Sequence, residues 1–154
     1  TLLSYNAKTA FEIIKSRGAP TILTPHSGEF SRLFGIKVSK AIDVRIEETI
    51  FAAKKSGAII VHKGPQTIIA TPNDEVWLLD VSTPWLASAG TGDCLAGLIG
   101  GILAQGCAPI EACKMAVFLH SQIGAYIGAG LIADDIAPNI GAVLDNFAPD
   151  NLKR

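Results

Sequence analysis

Charge is scarce and evenly spread. The 13 Lys and Arg residues stand against 14 Asp and Glu, for a net charge of −1, and they are scattered along the chain. A nucleic-acid binder carries a basic face, so no polyanionic partner is expected. Cysteine is sparse as well: Cys94, Cys107 and Cys113 are odd in number and form no C-x-x-C pair. That argues against a disulfide framework or a zinc site and for reduced thiols in a cytoplasmic setting. Long apolar runs are missing. The longest candidate, Cys94 to Pro109, is interrupted by Gln105 and four glycines and is shorter than the roughly 20 residues of a membrane span, so it reads as a buried core helix. No basic segment followed by an apolar stretch opens the chain, so no secretory leader is expected. The first residue is Thr1 and the amphipathic pattern already runs by Leu3, from which missing upstream sequence is expected. Several motifs are absent too: there is no G-x-x-x-x-G-K-[ST], no G-x-S-x-G and no H-E-x-x-H. The G-x-G at Gly90 and Gly92 lacks the spacing and preceding strand of a dinucleotide fingerprint.

What is present is enough apolar material for a full core, 49% of 154 residues, and a βα alternation. Ala7, Ala10, Phe11 and Ile14 have helical spacing within about 5 to 17, and "RGAP" breaks that helix before the short strand "TILT" at 21 to 24. Phe30, Leu33 and Phe34 predict a helix opened by Glu29 in its first turn and stopped by Gly35. A third helix is expected from Asp43, its N-cap, to Gly57, with Ile46, Ile50 and Ala53 inward and Arg45, Glu47, Glu48, Lys54 and Lys55 outward. "AIIVH" (58 to 62), "QTIIAT" (66 to 71) and "EVWLLD" (75 to 80) read as strands separated by turn chemistry. The first is covered on both faces and the other two form a hairpin. Helices at about 92 to 105, 109 to 129 and 134 to 146 complete an α/β chain with helices on both sheet faces.

Three loops fall where an α/β sheet keeps ligands, at strand ends or helix starts. In "AGTGD" (89 to 93) the glycines bare amides beside a helix start. Asp93 there is either a helix cap or a base beside an anion hole. In "HKGPQT" (62 to 67) Lys63 is either an exposed turn lysine or a cation for phosphate, with the Gly64 amide and the Thr67 hydroxyl beside it. In "TPHSGE" (24 to 29) a helix-start loop accounts for Ser27 and Glu29, whereas His26 is either structural or functional. His120 in "FLHSQIGAYIGAG" is expected to be buried and structural.

In this order, "TPHSGEFSRLFG", "VHKGPQTIIA" and "ASAGTGDCLAGLIGGILAQG" resemble the ADP- or ATP-dependent NAD(P)H-hydrate dehydratases, a branch of the ribokinase-like superfamily. The likeness runs from about Thr21 through the helix at 109 to 129. It implies a ribokinase-like α/β fold with a central, mostly parallel sheet and helices on both faces, lacking the family's amino-terminal part. Residues 1–154 would then be one dehydratase domain, the carboxy-terminal portion of a larger one. The implied activity is the nucleotide-driven dehydration of hydrated NADH or NADPH, with ADP or ATP as co-substrate and Mg²⁺. By position, the resemblance makes His26 a substrate contact and Asp93 a substrate contact and base. It assigns nucleotide binding to Lys63, Gly64, Pro65, Gln66 and Thr67 and to Gly90, Thr91 and Gly92. The His-x-x-Glu spacing resembles the Asn-x-x-Glu element of the wider superfamily, which implies a water-mediated Mg²⁺ contact for Glu29. An NAD(P)H-hydrate epimerase, as partner or fused domain, and a homo-oligomer are the implied associations. The family usually has proline where Ser27 stands and leucine where His62 stands, and Trp85 replaces a glycine-rich lead-in. It either faces the substrate or packs ordinarily. A vitamin-precursor kinase of the same superfamily and a non-catalytic nucleotide-binding fragment are the alternative readings.

Overall fold

The computed structural model describes residues 6–80 and 83–149. The expected start of the first helix, residue 5, lies outside them. The chain divides into two compact units, Thr1–Asp80 and Val81–Arg154.

In the first unit α1 (Ala7–Ser16) is capped by Asn6, whose side chain accepts from the Thr9 amide. It leads to β1 (Ile22–Leu23), α2 (Ser27–Phe34), α3 (Ile42–Ser56), β2 (Ile59–His62), β3 (Thr67–Ala70) and β4 (Val76–Leu79). α2 and α3 stop at Gly35 and Gly57, both left-handed, where the sequence places glycine for that purpose. The sheet has the order β1-β2-β3-β4; β1 and β2 are parallel, β2–β3 and β3–β4 antiparallel. The sheet is therefore mixed among the described residues, where the resemblance implied a mostly parallel one. The reason is covalent: parallel neighbours need a crossover of a dozen or more residues, and the links at 63–66 and 71–75 are too short for one.

Strand alternation puts Ile60 and His62, with their partners Ala70 and Ile68, on the face that carries the helices. Phe11 and Ile14 of α1, Phe30 and Phe34 of α2, and Ala52 and Ala53 of α3 form one core with Ile60 and Ala70. Phe11 stacks on Phe34 at 5.4 Å. Full burial of a side chain such as Phe30 or Ile60 is worth roughly 1.5–3 kcal/mol. Ile59, Val61 and Ile69, on the other face, are buried too, the pattern expected of the unbroken apolar run in β2.

α3 departs from expectation in two ways. Its cap is Ala41 and Asp43 lies inside the first turn, without a side-chain cap bond. Its buried side is Arg45, Thr49, Ala52, Ala53 and Ser56, so Arg45 faces in. The stripe that starts from Ala53 and steps back four residues at a time reaches Thr49 and Arg45, about one position away from the Ile46–Ile50 line.

The second unit contains a 3₁₀ turn at Pro84–Leu86, α4 (Thr91–Ala104), α5 (Pro109–Ile127), a second 3₁₀ turn at Ala133–Asp135 and α6 (Ile136–Asp145). Leu119 and Ile123 of α5 pack with Leu131, Ile136 and Val143, and Leu86, Cys94 and Leu98 join them. α4 is buried along one stripe only, Leu95 and Ile99, with Ala96, Gly97, Gly100 and Gly101 exposed. It is thus one-sided where a buried core helix was expected. His120 is buried in α5 as expected, and Trp85 is exposed. All three cysteines are free thiols. Among the described residues no helix is long and apolar enough to cross a membrane.

Candidate functional site

β1 and β2 run parallel, so their carboxyl ends open on the same side and the two following loops meet there. The Lys63 amide donates to the Pro25 carbonyl at 2.9 Å, and His26 pairs with Lys63 in an isolated parallel bridge. The TPHSGE and HKGPQT loops are therefore neighbours, thirty-seven positions apart in sequence.

His26 is the cap of α2. Its Nδ1 accepts from the Gly28 amide at 3.0 Å and the Glu29 amide at 3.3 Å, while the Glu29 carboxylate accepts from the His26 amide at 2.9 Å. This is a capping box in which histidine does the work usually given to Ser or Thr. Because Nδ1 is an acceptor, the ring's exposed Nε2 is the nitrogen left for a ligand. Glu29 Oε2 also lies 3.6 Å from His26 Nε2 and 3.9 Å from Lys63 Nζ. Burial alone would push the Glu29 carboxyl up. The bond from the His26 amide and the Lys63 charge outweigh it and hold the carboxyl below the usual carboxylate range. His26, Glu29 and Lys63 thus form one polar cluster.

Behind the cluster stands a buried chain of hydrogen bonds. Thr49 Oγ1 donates to the Arg45 carbonyl at 2.7 Å, so its single proton is spent and it accepts from His62 Nδ1 at 3.0 Å. His62 is therefore the Nδ1–H tautomer, and its Nε2 accepts from Ser27 Oγ at 3.3 Å. Phe30 stacks on the imidazole at 4.2 Å. Burial, helped by the nearby Arg45 charge, lowers the His62 pKa to about 4, so the ring is neutral. Ser27 and His62, two of the three departures from the family pattern, are bonded to each other, and the bond ties the first residue of α2 to the end of β2.

The 63–67 loop is held from α3. Arg45 Nη2 donates to the Gln66 carbonyl at 3.2 Å, and Thr67 Oγ1 reaches the Gly64 carbonyl at 3.5 Å. Arg45, Thr49 and His62 were not among the residues expected at the site. Arg45, Thr49 and Ala53 share one face by their i, i+4 spacing, but hydropathy does not mark that face as the buried one.

In the second unit the AGTGD loop opens α4. The cap is Gly90, at φ 84°, with no side-chain cap bond. The Asp93 and Cys94 amides both donate to the Gly90 carbonyl, at 3.0 and 3.1 Å, and the Thr91 amide reaches the Ser88 carbonyl only at 3.5 Å. The Thr91 hydroxyl ties the loop back to the Leu86 and Ser88 carbonyls at 2.7 and 2.8 Å. The Gly92 amide has no partner among the described residues. Asp93 is not the cap. It is exposed, in the first turn, and its carboxylate is bonded to nothing among the described residues. The Gly92 amide at this helix start is a donor open to an anion, and the Asp93 carboxylate beside it is open to accept a proton.

Comparison with known proteins agrees with the motifs. Residues 1–141 match the family model described as NAD(P)H-hydrate dehydratase. The chain belongs to the NAD(P)H-hydrate dehydratase family. It is 46% identical over 121 residues to the bifunctional NAD(P)H-hydrate repair enzyme Nnr of Thermosynechococcus vestitus, a match covering 79% of this chain and 22% of that one. It is 32% identical over 135 residues to the ADP-dependent (S)-NAD(P)H-hydrate dehydratase of Xanthomonas campestris, covering 84% and 47%. The crystal structure of the ADP/ATP-dependent NAD(P)H-hydrate dehydratase of Bacillus subtilis, co-crystallized with ATP/Mg²⁺ and soaked with CoA, superposes with a TM-score of 0.79 at 36% identity, over 86% of this chain and 51% of that one. The α/β fold of this dehydratase-family chain is ribokinase-like, and the chain spans about half the length, or less, of the relatives it matches.

Proposed function

We propose that residues 1–154 are part of one ribokinase-like domain that dehydrates hydrated NADH and NADPH at the expense of ADP or ATP. The observation that carries the reading is Asp93: an exposed carboxylate in the first turn of α4, beside the Gly92 amide, neither of them with a partner among the described residues. A hydroxyl on a hydrated nicotinamide ring is a poor leaving group. Transfer of a phosphoryl group to it makes a phosphate ester. The ring nitrogen's lone pair then expels phosphate to leave an iminium ion, and loss of a proton from the neighbouring ring carbon to water forms the nicotinamide double bond. Asp93 takes the hydroxyl proton, and the amides at Gly90, Thr91 and Gly92 hold the transferring phosphoryl group.

Lys63, Gly64, Pro65, Gln66 and Thr67 hold the nucleotide phosphates, with Lys63 as the point charge. His26 meets the substrate through Nε2. Glu29 is ionised and has its Oε2 already committed to the His26 amide. One carboxylate fits a hydrated Mg²⁺ held chiefly by phosphate and water, the way that ion is usually bound. Mg²⁺ would offset the phosphate charge there. The dehydratase name of the Xanthomonas relative and the ATP/Mg²⁺ of the Bacillus crystals support the nucleotide and the metal. The bifunctional relative supports cooperation with an NAD(P)H-hydrate epimerase. The free thiols fit a reducing, cytoplasmic setting.

The test is recovery of reduced-nicotinamide absorbance from hydrated NADH with Mg²⁺ and either nucleotide. Asp93→Asn should lower kcat by about a hundredfold or more while ADP still binds. Stable phosphorylation of an alcohol instead would make the protein a kinase. Binding without turnover in the native protein would make it a non-catalytic nucleotide binder.

A further inference from the structure

The 63–67 loop rests on a cation that neither the motifs nor the reaction require. Arg45 is 8% exposed, yet it forms no ion pair among the described residues. Its Nη2 donates to the Gln66 carbonyl at 3.2 Å, and its Nε is buried without a partner among the described residues. A guanidinium enclosed in this way, with the Glu48 carboxylate acting on it only from beyond ion-pair distance, is costly to keep.

Gly64 completes the observation. Its backbone is not left-handed, so its conformation does not demand glycine. Space does: a Cβ at position 64 would lie 2.7 Å from Arg45 Nη2 and 3.5 Å from both Cζ and Nη1. A guanidinium at the surface would swing aside. This one is enclosed and bonded to the same loop two residues on, so it cannot yield without releasing Gln66.

We propose that Arg45 is a positioning residue for the nucleotide phosphates: from α3 it fixes the Lys63–Thr67 loop through the Gln66 carbonyl and fills the place that a side chain at position 64 would take. This rests on the reading of that loop as the nucleotide-phosphate loop. The loop's shape, and hence the aim of its amides and of Lys63, is set from beneath by a group that touches no ligand.

Mg²⁺-ADP and adenosine, which lacks the phosphates, are each titrated calorimetrically into the native protein, Arg45→Met, Gly64→Ala and the double variant. Arg45→Met should weaken ADP about tenfold, the loss of one hydrogen bond to a charged group, and leave adenosine within about twofold. Gly64→Ala should weaken ADP comparably when Arg45 is present, and by less than about twofold when Met has vacated the space. Native-like ADP affinity in Arg45→Met, equal weakening of ADP and adenosine, or a Gly64→Ala cost that is the same in both backgrounds overturns the proposal. If Arg45→Met does not fold, Gly64→Ala alone decides: selective loss of ADP sustains the proposal and unchanged ADP binding overturns it. A native protein that binds neither ligand removes the nucleotide reading itself, and the role of Arg45 with it.

Discussion

His62 shows how one residue can tie a site to its scaffold without touching a ligand. Its imidazole is fully buried, stacked on Phe30, and reads as a one-way relay from Ser27 through the ring to Thr49 and the α3 backbone. A proton on Nε2 would place a second charge near Arg45, and burial opposes it. The folded pKa, lowered from 6.5 to about 4, then fixes the sign of a pH effect. A base that is harder to protonate folded than unfolded contributes its full stability above pH 6.5 and loses it as pH falls from 6.5 toward 4. Between pH 7 and pH 5 that loss is about 2 kcal/mol. Urea denaturation of native protein and His62→Leu at both pH values should show the drop in the first and a clearly flatter response in the second. Equal slopes would mean that His62 titrates normally. Cys113 gives a second check on burial. It is enclosed in α5 and its thiol is pushed up to about 12, so iodoacetamide at pH 8 should leave it unmodified in native protein and label it after denaturation, read by mass spectrometry of the peptides.

At the scale of elements, two glycines hold the second unit's geometry for different reasons. Gly90 opens α4 at φ 84°, and a Cβ there would meet the Ala133 side chain at 2.9 Å. Gly124 sits within α5, where a Cβ would come within 2.7 Å of both Leu86 and Thr83. Gly90→Ala should therefore cost about 1–3 kcal/mol by backbone strain and disturb the AGTGD amides, lowering activity as well as melting temperature. Gly124→Ala should cost a similar amount by overpacking alone, with kcat retained in whatever fraction stays folded. The split between kcat and melting temperature separates the two. Elements of this kind are legible in the sequence. Apolar spacing, the turns "KGP" and "PND", and the stops at Gly35 and Gly57 predict nearly every helix and strand that is present. What the pattern does not carry is which side of α3 faces in. An arginine scores as solvent-facing on any hydropathy count, and only the position of the Gln66 carbonyl, 21 residues away, makes Arg45 a buried group.

For the whole molecule the same distinction decides how much of each unit's candidate residues can be read. The loops carrying His26, Lys63 and Asp93 stand out because they combine turn chemistry with charged residues at strand ends and a helix start. Their supports do not, because the Ser27–His62 and Thr49–His62 bonds join residues 35 and 13 positions apart, with no local signature. If the loops bind nucleotide, binding must appear as stability of the folded molecule. A ligand that binds only the native state stabilises it by RT ln(1 + [L]/Kd), about 2.7 kcal/mol at a hundredfold excess over Kd. Lys63 separates that term from intrinsic stability. Its ammonium lies 3.9 Å from Glu29, and its side chain is 24% exposed. A loose pair of this kind is worth at most about 1 kcal/mol. Lys63→Met should then melt within a few degrees of native protein when ligand is absent. In saturating Mg²⁺-ADP the native melting temperature should rise by several degrees, and that of Lys63→Met should stay nearly where it was. An equal rise in both proteins would remove Lys63 from the phosphate site, and a large drop without ligand would make it a structural residue.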